Sequence, residues 1–401
     1  MIAAISHRSV WFCVGAGRKG AMKVKAPPRS ALGMSELRRH HLSVVLEQLL
    51  DNGPTSRAAL AQETGLTKAT VSTLVTDLLE RDLVEELNTQ RDGRIGRPGV
   101  RVAARMGRFG GVGLQIERDH VAACVVNFSG QILVQHRRRA DNLRAEPERI
   151  FAQLGQIAVR AIGDAERLGL HCVDATLAVP GLVEPGTGKL RVAPNLHWLD
   201  ADLSDLLVRL VLPVGMGIEV ENEANLGALA ELRCGAGRRL SSFVYLSAGS
   251  GIGAGMIIDG YLVRGSHGFA GELGHIVVEP DGRPCACGAR GCLETIFASS
   301  AGAGSQDLAE ALAAALRSVV HVVDPEAIIL GGRLANLGDG FTAHLRQSMR
   351  TNTLGGPWHP CEVTSSAFGA DATLIGAGIA ALDGVLTDPT RVPHQSTSRS
   401  A

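Results

Sequence analysis

Three cysteines and one histidine lie close together in the second half of the chain. Cys285, Cys287 and Cys292 follow the pattern C-x-C-x4-C, and His275 lies ten residues before the first of them. Three thiolates and one imidazole are the ligands of a closed tetrahedral zinc site. A disulfide or a cluster of inert thiols is the alternative, but the remaining cysteines are scattered singly, which fits a reducing compartment. The sequence therefore predicts a structural Zn²⁺ bound by these four residues.

Residues 56–81 have the pattern of two short helices joined by a tight turn. Ser56 is a good N-cap for a helix over 57–64, Gly65 supplies the turn, and Thr67 caps a second helix that runs to about residue 81. This pattern is typical of a helix-turn-helix, although an ordinary helical hairpin with a solvated face is the alternative. The second helix presents short polar or basic side chains outward, as a helix in a major groove requires. The residues that we expect to contact DNA here are Thr67, Lys68, Ser72 and Thr73.

A β-hairpin pattern follows the second helix directly. Residues 83–87 read as a strand, 91–99 as a glycine- and arginine-rich turn, and 100–102 as the returning strand, which together predict a wing. Arg94 and Arg97 at its tip are expected to enter a minor groove or to contact phosphates. Residues 1–108 hold 17 Lys and Arg against 10 Asp and Glu, whereas the rest of the chain holds 23 against 30. A basic front part indicates a polyanionic partner, so residues 35–107 are predicted to bind double-stranded DNA.

The rest of the chain reads as a globular body between two polar ends. From residue 108 onward, strands at 112–116, 121–128 and 131–137 precede a helix at 146–168 and a strand at 175–179, which predicts an α/β fold. No apolar run reaches the ~18 residues that span a membrane, so we expect a cytoplasmic protein without a membrane partner. Residues 1–34 and 386–401 are expected to be disordered. Met22 and Met34 are alternative start sites to Met1.

Several long motifs in residues 108–385 support a resemblance to one family. They are VPGLVEPGTGKL at 179–190, PNLHW at 194–198, ENEANLGALAE at 221–231, SAGSGIGAGMIIDGYLVRGSHGFAGELGH at 247–275 and DPEAIILGGRL at 324–334. Together with the cysteine cluster, they make the body resemble the ROK family (repressors, open reading frames and kinases). The resemblance implies a two-lobed, actin-like ATPase or sugar-kinase body with a ribonuclease H-like fold, preceded here by a winged helix-turn-helix. With that domain in front, the whole chain resembles the sugar-responsive ROK repressors.

The resemblance also implies a sugar site in the cleft between the two lobes. Carboxylates accept hydrogen bonds from sugar hydroxyls, amides both donate and accept them, and a metal-bound histidine retains a second ring nitrogen for the ligand. For any one residue alone, a satisfied buried polar group is the simpler interpretation. The residues carried over to the sugar site are Asn195, Asn222, Glu223, Glu272, His275 and Glu294.

The elements of a kinase are altered in this sequence. The family's Asp-x-Gly-Gly-Thr phosphate turn corresponds to Gln115–Asp119, which lacks the glycines whose amides would cradle phosphate. Glu117 and Asp119 would repel ATP, and Glu223 stands where the family has its catalytic aspartate. An extra methylene can misplace a base, and catalysis is sensitive to ~1 Å. We therefore expect sugar binding without phosphorylation.

The resulting hypothesis is a DNA-binding regulator of carbohydrate uptake or catabolism genes, more readily a repressor than an activator. A sugar or sugar phosphate in the cleft would release it from its operator. The resemblance and the logic of paired half-sites imply a homodimer or homotetramer. Two alternatives remain open: an active ATP-dependent sugar kinase that carries a DNA-binding domain, and a repressor controlled by a protein partner.

Overall fold

A computed structural model describes residues 33–87, 100–299 and 306–394. The helices are α1 (Met34–Asn52), α2 (Arg57–Thr64), α3 (Lys68–Glu80), α4 (Pro147–Arg167), α5 (Ser204–Val208), α6 (Glu223–Cys234), α7 (Leu293–Ser299), α8 (Gln306–Val323), α9 (Asp339–Asn352) and α10 (Ala372–Thr387). The strands are β1 (Thr55–Ser56), β2 (Val84–Leu87), β3 (Arg101–Ala104), β4 (Phe109–Ile116), β5 (His120–Val126), β6 (Ile132–Arg139), β7 (His171–Val179), β8 (Leu182–Val183), β9 (Leu190–Ala193), β10 (Trp198–Ala201), β11 (Ile218–Asn222), β12 (Phe243–Ala248), β13 (Ile252–Ile258), β14 (Tyr261–Leu262), β15 (Ala327–Gly332) and β16 (Glu362–Ser365).

The N-terminal unit is the predicted winged helix-turn-helix. Ser56 Oγ accepts from the Ala59 amide at 3.2 Å, and Thr67 Oγ1 accepts from the Thr70 amide at 3.1 Å, so both predicted caps form. Gly65 ends α2 with a φ of +71°, a conformation that glycine adopts without strain. Strands β1, β3 and β2 form an antiparallel sheet in the order β1-β3-β2. The predicted wing-tip arginines, Arg94 and Arg97, lie outside the described residues.

The body consists of two lobes, each built on a five-stranded mixed sheet. The first sheet has the order β11-β7-β4-β5-β6, in which β11, β7 and β4 run parallel and the β4–β5 and β5–β6 pairs are antiparallel. The second has the order β14-β13-β12-β15-β16, with β12, β15 and β16 parallel. Helix α4 covers the first sheet, and α7, α8 and α9 pack with the second. This is the α/β architecture that the sequence predicts.

Helices α6 and α10 pack against each other between the two sheets. A β-carbon at Gly376 would overlap the backbone oxygen of Leu226, so glycine is needed for this close helix crossing. In the described part of the chain, residues 369–387 alone are long and apolar enough to cross a membrane by length and composition. Two thirds of that stretch is buried inside the fold, as is typical of a core helix.

The C-terminal segment differs from the prediction. Residues 386–394, expected to belong to a disordered tail, are folded: α10 ends at Thr387 and a 3-10 helix follows at Pro389–Arg391. Val392 is 6% exposed and packs in one hydrophobic cluster with residues of α1, α3 and α10. The Thr- and Pro-rich composition concealed this packing, because it depends on contacts with a unit more than 300 residues earlier in the chain. Residues 1–32 and 395–401 lie outside the described part, and α1 begins at Met34.

Candidate functional site

Helix α3 exposes the face that the sequence predicts for DNA. Lys68, Thr73 and Thr76 are exposed and Ser72 is half-buried, and the capping residue Thr67 at the helix N-terminus is also exposed. The opposite face of the helix is buried in the core of the winged helix. The outward side chains are short, so the α3 backbone could approach base edges in a major groove closely.

Two arginines that the sequence analysis missed flank this face. Arg38 of α1 and Arg57 of α2 line a hollow of about 400 Å³ together with Ser72, Thr73 and Thr76 of α3. Arg57 binds Glu86 of β2 at 2.8 Å, which holds its guanidinium beside the helix. The net positive charge of the front part was the only sequence signal for these residues, because their proximity to α3 depends on how the three helices pack.

The predicted metal ligands converge. A ring nitrogen of His275 and the Sγ atoms of Cys285, Cys287 and Cys292 all lie within 4.8 Å of one another. Cys287 Sγ and Cys292 Sγ are 3.7 Å apart, and Cys285 Sγ is 3.5 Å from His275 Nδ1. Zinc bond lengths of about 2.3 Å to sulfur and about 2.0 Å to nitrogen place tetrahedral ligand atoms about 3.8 Å apart (S···S) and about 3.5 Å apart (S···N). A disulfide would need about 2.05 Å between sulfurs, so the geometry fits a metal cluster.

The crowding of the sulfurs also affects the protonation of the thiols. Burial, together with the crowding thiols of Cys285 and Cys287, raises the pKa of Cys292 to about 12. A backbone hydrogen bond at Ala289 lowers the pKa of Cys287. A bound cation would favour the thiolate form of each, because it supplies the positive charge that crowded thiolates lack.

His275 connects the cysteine cluster to a polar cleft. Its Nδ1 faces the sulfurs, and its Nε2 lies 4.0 Å from Glu272 Oε2. Glu294 begins α7 beside the cluster and accepts a hydrogen bond from the Ile252 amide at 3.0 Å. A β-carbon at Gly251 would meet both Glu294 Oε2 and Asn195 Nδ2, so a glycine lets these two side chains approach the loop before β13. Asn195, Glu272, His275 and Glu294 therefore lie around one cleft.

A further pair of carboxyl groups lies near Glu272 and Glu294. Glu223 starts α6 and lies within hydrogen-bonding reach of Glu117, which follows β4. Burial raises the pKa of Glu223 well above its usual range, and the carboxylates of Glu117, Glu272 and Glu294 raise it further. Gln115 Nε2 donates to Glu117 Oε1 at 3.1 Å. The sequence analysis treated Glu117 only as a residue that repels ATP and missed its pairing with Glu223.

Asn222 has a structural task in addition to its predicted one. Its Oδ1 caps α6 by accepting from the amides of Ala224 at 2.8 Å and Asn225 at 3.2 Å, and its Nδ2 donates to the Gly181 oxygen at 2.8 Å. These bonds already use much of the hydrogen-bonding capacity of the Asn222 amide.

Comparison with known proteins shows which families match the two parts of the chain. The sequence profile of the ROK family matches residues 111–305 and 299–383, and that of the MarR family matches residues 43–95. The chain belongs to the ROK family. The ROK profile covers the two-lobed body with the cleft and the cysteine cluster, and the MarR profile falls on the winged helix.

Relatives of this ROK protein include both repressors and kinases. A putative xylose repressor from Caldicellulosiruptor sp. strain Rt8B.4 is 28% identical over 392 residues, which cover 87% of this chain and 97% of the relative. The glucokinase of Streptomyces coelicolor is 28% identical over 313 residues, 66% of this chain and 95% of the relative. A crystal structure of a ROK family transcriptional regulator, described as a homolog of the E. coli MLC protein, aligns with a TM-score of 0.73 at 23% identity and covers 89% of this chain and 99% of that one.

The ROK body and the winged helix are joined through the C-terminal segment 388–394. Asp77 of α3 is 4% exposed; it accepts hydrogen bonds from Arg38 and Arg81 and lies 2.8 Å from His394 Nε2. Arg81 also donates to the backbone oxygens of Thr390, at 3.1 Å, and of Val392. On the other side, Arg391 binds Asp174 of β7 at 2.6 Å. The segment thus contacts β7 of the body sheet and helix α3 of the winged helix at once.

Proposed function

We propose that this ROK protein is a sugar-responsive, DNA-binding transcriptional regulator that represses carbohydrate genes. The observation that carries the proposal is the union of two units in one chain. The winged helix exposes a face of α3 that carries short polar side chains. The hydrophobic cluster of the winged helix continues into α10 of the body. The body in turn carries a cleft lined by carboxylate and amide side chains. The ROK membership and the relative named as a putative xylose repressor support a sugar as the effector.

The fold suggests how sugar binding in the cleft would change the orientation of the winged helix and so its binding to DNA. Helix α6, which carries Glu223 at the cleft, packs on α10, and α10 leads into the segment that contacts α3. A sugar that binds one arrangement of the lobes more tightly would shift the population of winged-helix orientations by that difference in affinity. In a homodimer or homotetramer, such a shift would change the spacing of paired reading helices, so that they no longer match an operator with two half-sites.

The cysteine cluster is proposed to hold a structural Zn²⁺. Its four ligands leave no open position, and the sulfur and nitrogen separations fit that ion. Bound through Nδ1, His275 would be fixed in orientation and present Nε2 to the cleft. The metal would thereby brace one wall of the sugar site. This role, and a cytoplasmic location, follow from the proposed regulator and its thiol ligands, which need a reducing compartment.

The body is proposed to bind its sugar without phosphorylating it. Glu117 and Asp119 put negative charge in the turn after β4, where the family resemblance implies the phosphate loop. The amides of Gly249 and Ile252 in the glycine-rich loop are already bonded, to Gly251 and Glu294 respectively. The glucokinase relatives keep a kinase as the second candidate. A coupled ATPase assay with hexoses and pentoses distinguishes the two, since turnover at ordinary kinase rates would overturn the binding-only role.

A gel-shift titration tests the proposed function. The full chain is mixed with DNA from the region upstream of its own gene, and pentoses, hexoses and N-acetylhexosamines are added one at a time. Specific binding that at least one sugar releases supports the proposal. Specific binding that no sugar alters, with no calorimetric heat for any sugar, would favour control by a protein partner.

A further inference from the structure

A hollow lined by arginines lies at the edge of the first lobe, where β6 ends and α4 begins. This β6–α4 hollow has a volume of about 380 Å³, which is within the range of about 300–1,000 Å³ that small-molecule sites occupy. Four guanidinium groups and one carboxylate are among its lining groups, and they belong to Arg138, Arg139, Arg144, Arg149 and Asp141. The hollow therefore carries an excess of positive charge that a small anion can neutralise.

Most of these guanidinium groups have no carboxylate partner. In the part of the chain that the structure describes, three of the four form no ion pair: Arg138, Arg139 and Arg149. Arg144 lies 3.8 Å from Asp141, but 86% and 62% of the two side chains are exposed, so this pair contributes little. Guanidinium groups bind phosphate oxygens through two parallel N–H groups, and a phosphate monoester carries almost twice the charge of a carboxylate. A phosphate group therefore fits the hollow better than a carboxylate does.

Hydrogen bonds hold the backbone between β6 and α4 in place. The Ala140 amide donates to the Asp119 oxygen at 2.9 Å, and the Asn142 amide donates to the Arg118 oxygen at 3.0 Å. The Nδ2 of Asn142 also donates to the Glu117 oxygen, at 2.6 Å. This segment is thus attached to the turn after β4. A lining that is already ordered lowers the entropy that a ligand must overcome on binding.

Two amide oxygens at the hollow lack hydrogen-bond partners. Asn142 is 1% exposed, and its Oδ1 has no partner among the described residues. The same is true of Oε1 of Gln153, which also lines the hollow. A ligand hydroxyl group or an ordered water would satisfy such an acceptor by donating to it. The amides therefore suit the polar body of a ligand, whereas the arginines suit its phosphate.

The hollow lies apart from the winged helix. The turn before β6 is beside α1, because Ser129 and Glu47 line one cavity. Strand β6 then runs eight residues away from that turn and ends at Arg139. At about 3.3 Å per residue, the two ends of β6 are about 23 Å apart. The arginines of the hollow are therefore not a continuation of the α3 face, and a small anion suits them better than operator DNA.

We propose that the β6–α4 hollow binds a small phosphorylated molecule, whose phosphate group is held by Arg139 and Arg149. The proposal does not depend on sugar binding in the cleft, because no residue that lines the hollow belongs to the predicted sugar site. It adds a second ligand site to the body, on the outer edge of the first lobe.

Isothermal titration of the full chain with inorganic pyrophosphate and with glycerol 3-phosphate tests the proposal. We expect both to bind, more weakly as salt is added, and glycerol not to bind. Arg139→Gln and Arg149→Gln should each weaken binding about tenfold, as expected for the loss of a hydrogen bond to a charged group. Arg160→Gln is the matched control. Arg160 is also an exposed arginine of α4, but it lies about 16 Å farther along the helix than Arg149, so binding should stay within about twofold.

Hydrogen exchange with pyrophosphate locates the site. Amides of residues 139–149 should exchange more slowly when pyrophosphate is bound, and those of residues 68–80 in α3 should not change. Protection of residues 68–80 alone would place the anion on the winged helix and overturn the proposal. Undiminished binding by the double variant of Arg139 and Arg149 would overturn it as well. Tighter binding of citrate than of pyrophosphate would refute the assignment of phosphate as the ligand group.

Discussion

Replacing Arg81 with methionine would test whether the C-terminal segment stabilises helix α3. The Arg81 side chain is 11% exposed; its Nε donates to Asp77 Oδ1 at 2.7 Å, and its Nη1 donates to two backbone oxygens of the segment. Methionine keeps much of the aliphatic volume and removes the guanidinium. The substitution therefore disconnects α3 from residues 390–392 with little change in packing.

The expected loss can be worked from these contacts. Breaking a buried ion pair by removing one partner costs about 3–5 kcal/mol, because the remaining charge is left uncompensated. Asp77 keeps Arg38 at 2.7 Å and His394 at 2.8 Å, which reduces that cost. We therefore expect Arg81→Met to lower the local free energy of unfolding of α3 by about 2–4 kcal/mol, with the lost backbone bonds of the segment included.

Hydrogen exchange measures this local effect. Amides of residues 68–80 should exchange about 30- to 1,000-fold faster in the variant, since 1.4 kcal/mol corresponds to a tenfold change. Amides of β12 in the body should be unaffected. Arg39→Met is the control, because Arg39 also reaches the segment but lies 3.6 Å from Asp388 with 48% of its side chain exposed, and such a pair contributes about 0–1 kcal/mol. Equal protection in the two variants would refute the reasoning.

The remaining predictions concern the metal, a helix cap, acid stability and DNA. Cys287→Ser should reduce bound zinc from about one per chain to near zero by elemental analysis, and should abolish the sugar response; a variant that keeps both contradicts the ligand assignment. Asn222→Ala should lower the free energy of unfolding by about 1–2 kcal/mol in chemical denaturation, because α6 loses its N-cap. Burial acts to raise the pKa of Asp77, but hydrogen bonds from Arg38 and His394 outweigh it and lower that pKa. The resulting stability is present above the unfolded value of about 3.9 and is lost as pH falls through the lower folded value, so Asp77→Asn should flatten the acid limb of thermal stability. Arg97→Ala should weaken operator binding and reduce its salt dependence by about one contact in gel shifts at several salt concentrations, while calorimetric sugar binding stays unchanged.

Much of the secondary structure could be predicted from the sequence, because it depends on interactions between residues close together in the chain. The caps at Ser56 and Thr67 and the turn at Gly65 each act within a few residues, so the helix-turn-helix was predictable to within a residue or two. The strands and the helix predicted between residues 112 and 179 of the body formed for the same reason. The convergence of the three cysteines with His275 was predictable because the cysteines lie within eight residues and the histidine ends a family motif.

The tertiary structure alone decided which distant groups meet. Glu117 follows β4 and Glu223 follows β11, so the ends of these two strands bring the carboxyl groups next to each other. No local pattern shows that two residues more than 100 positions apart are neighbours in the fold. Likewise, the sequence predicts that Val392 and His394 belong to a polar tail. In the structure, α10 ends beside the winged helix, so these two residues contact it. Sequence periodicity specifies which face of an element is buried, but the partner of that face depends on how the whole chain packs. The contact between the body and the winged helix depends on such long-range pairs.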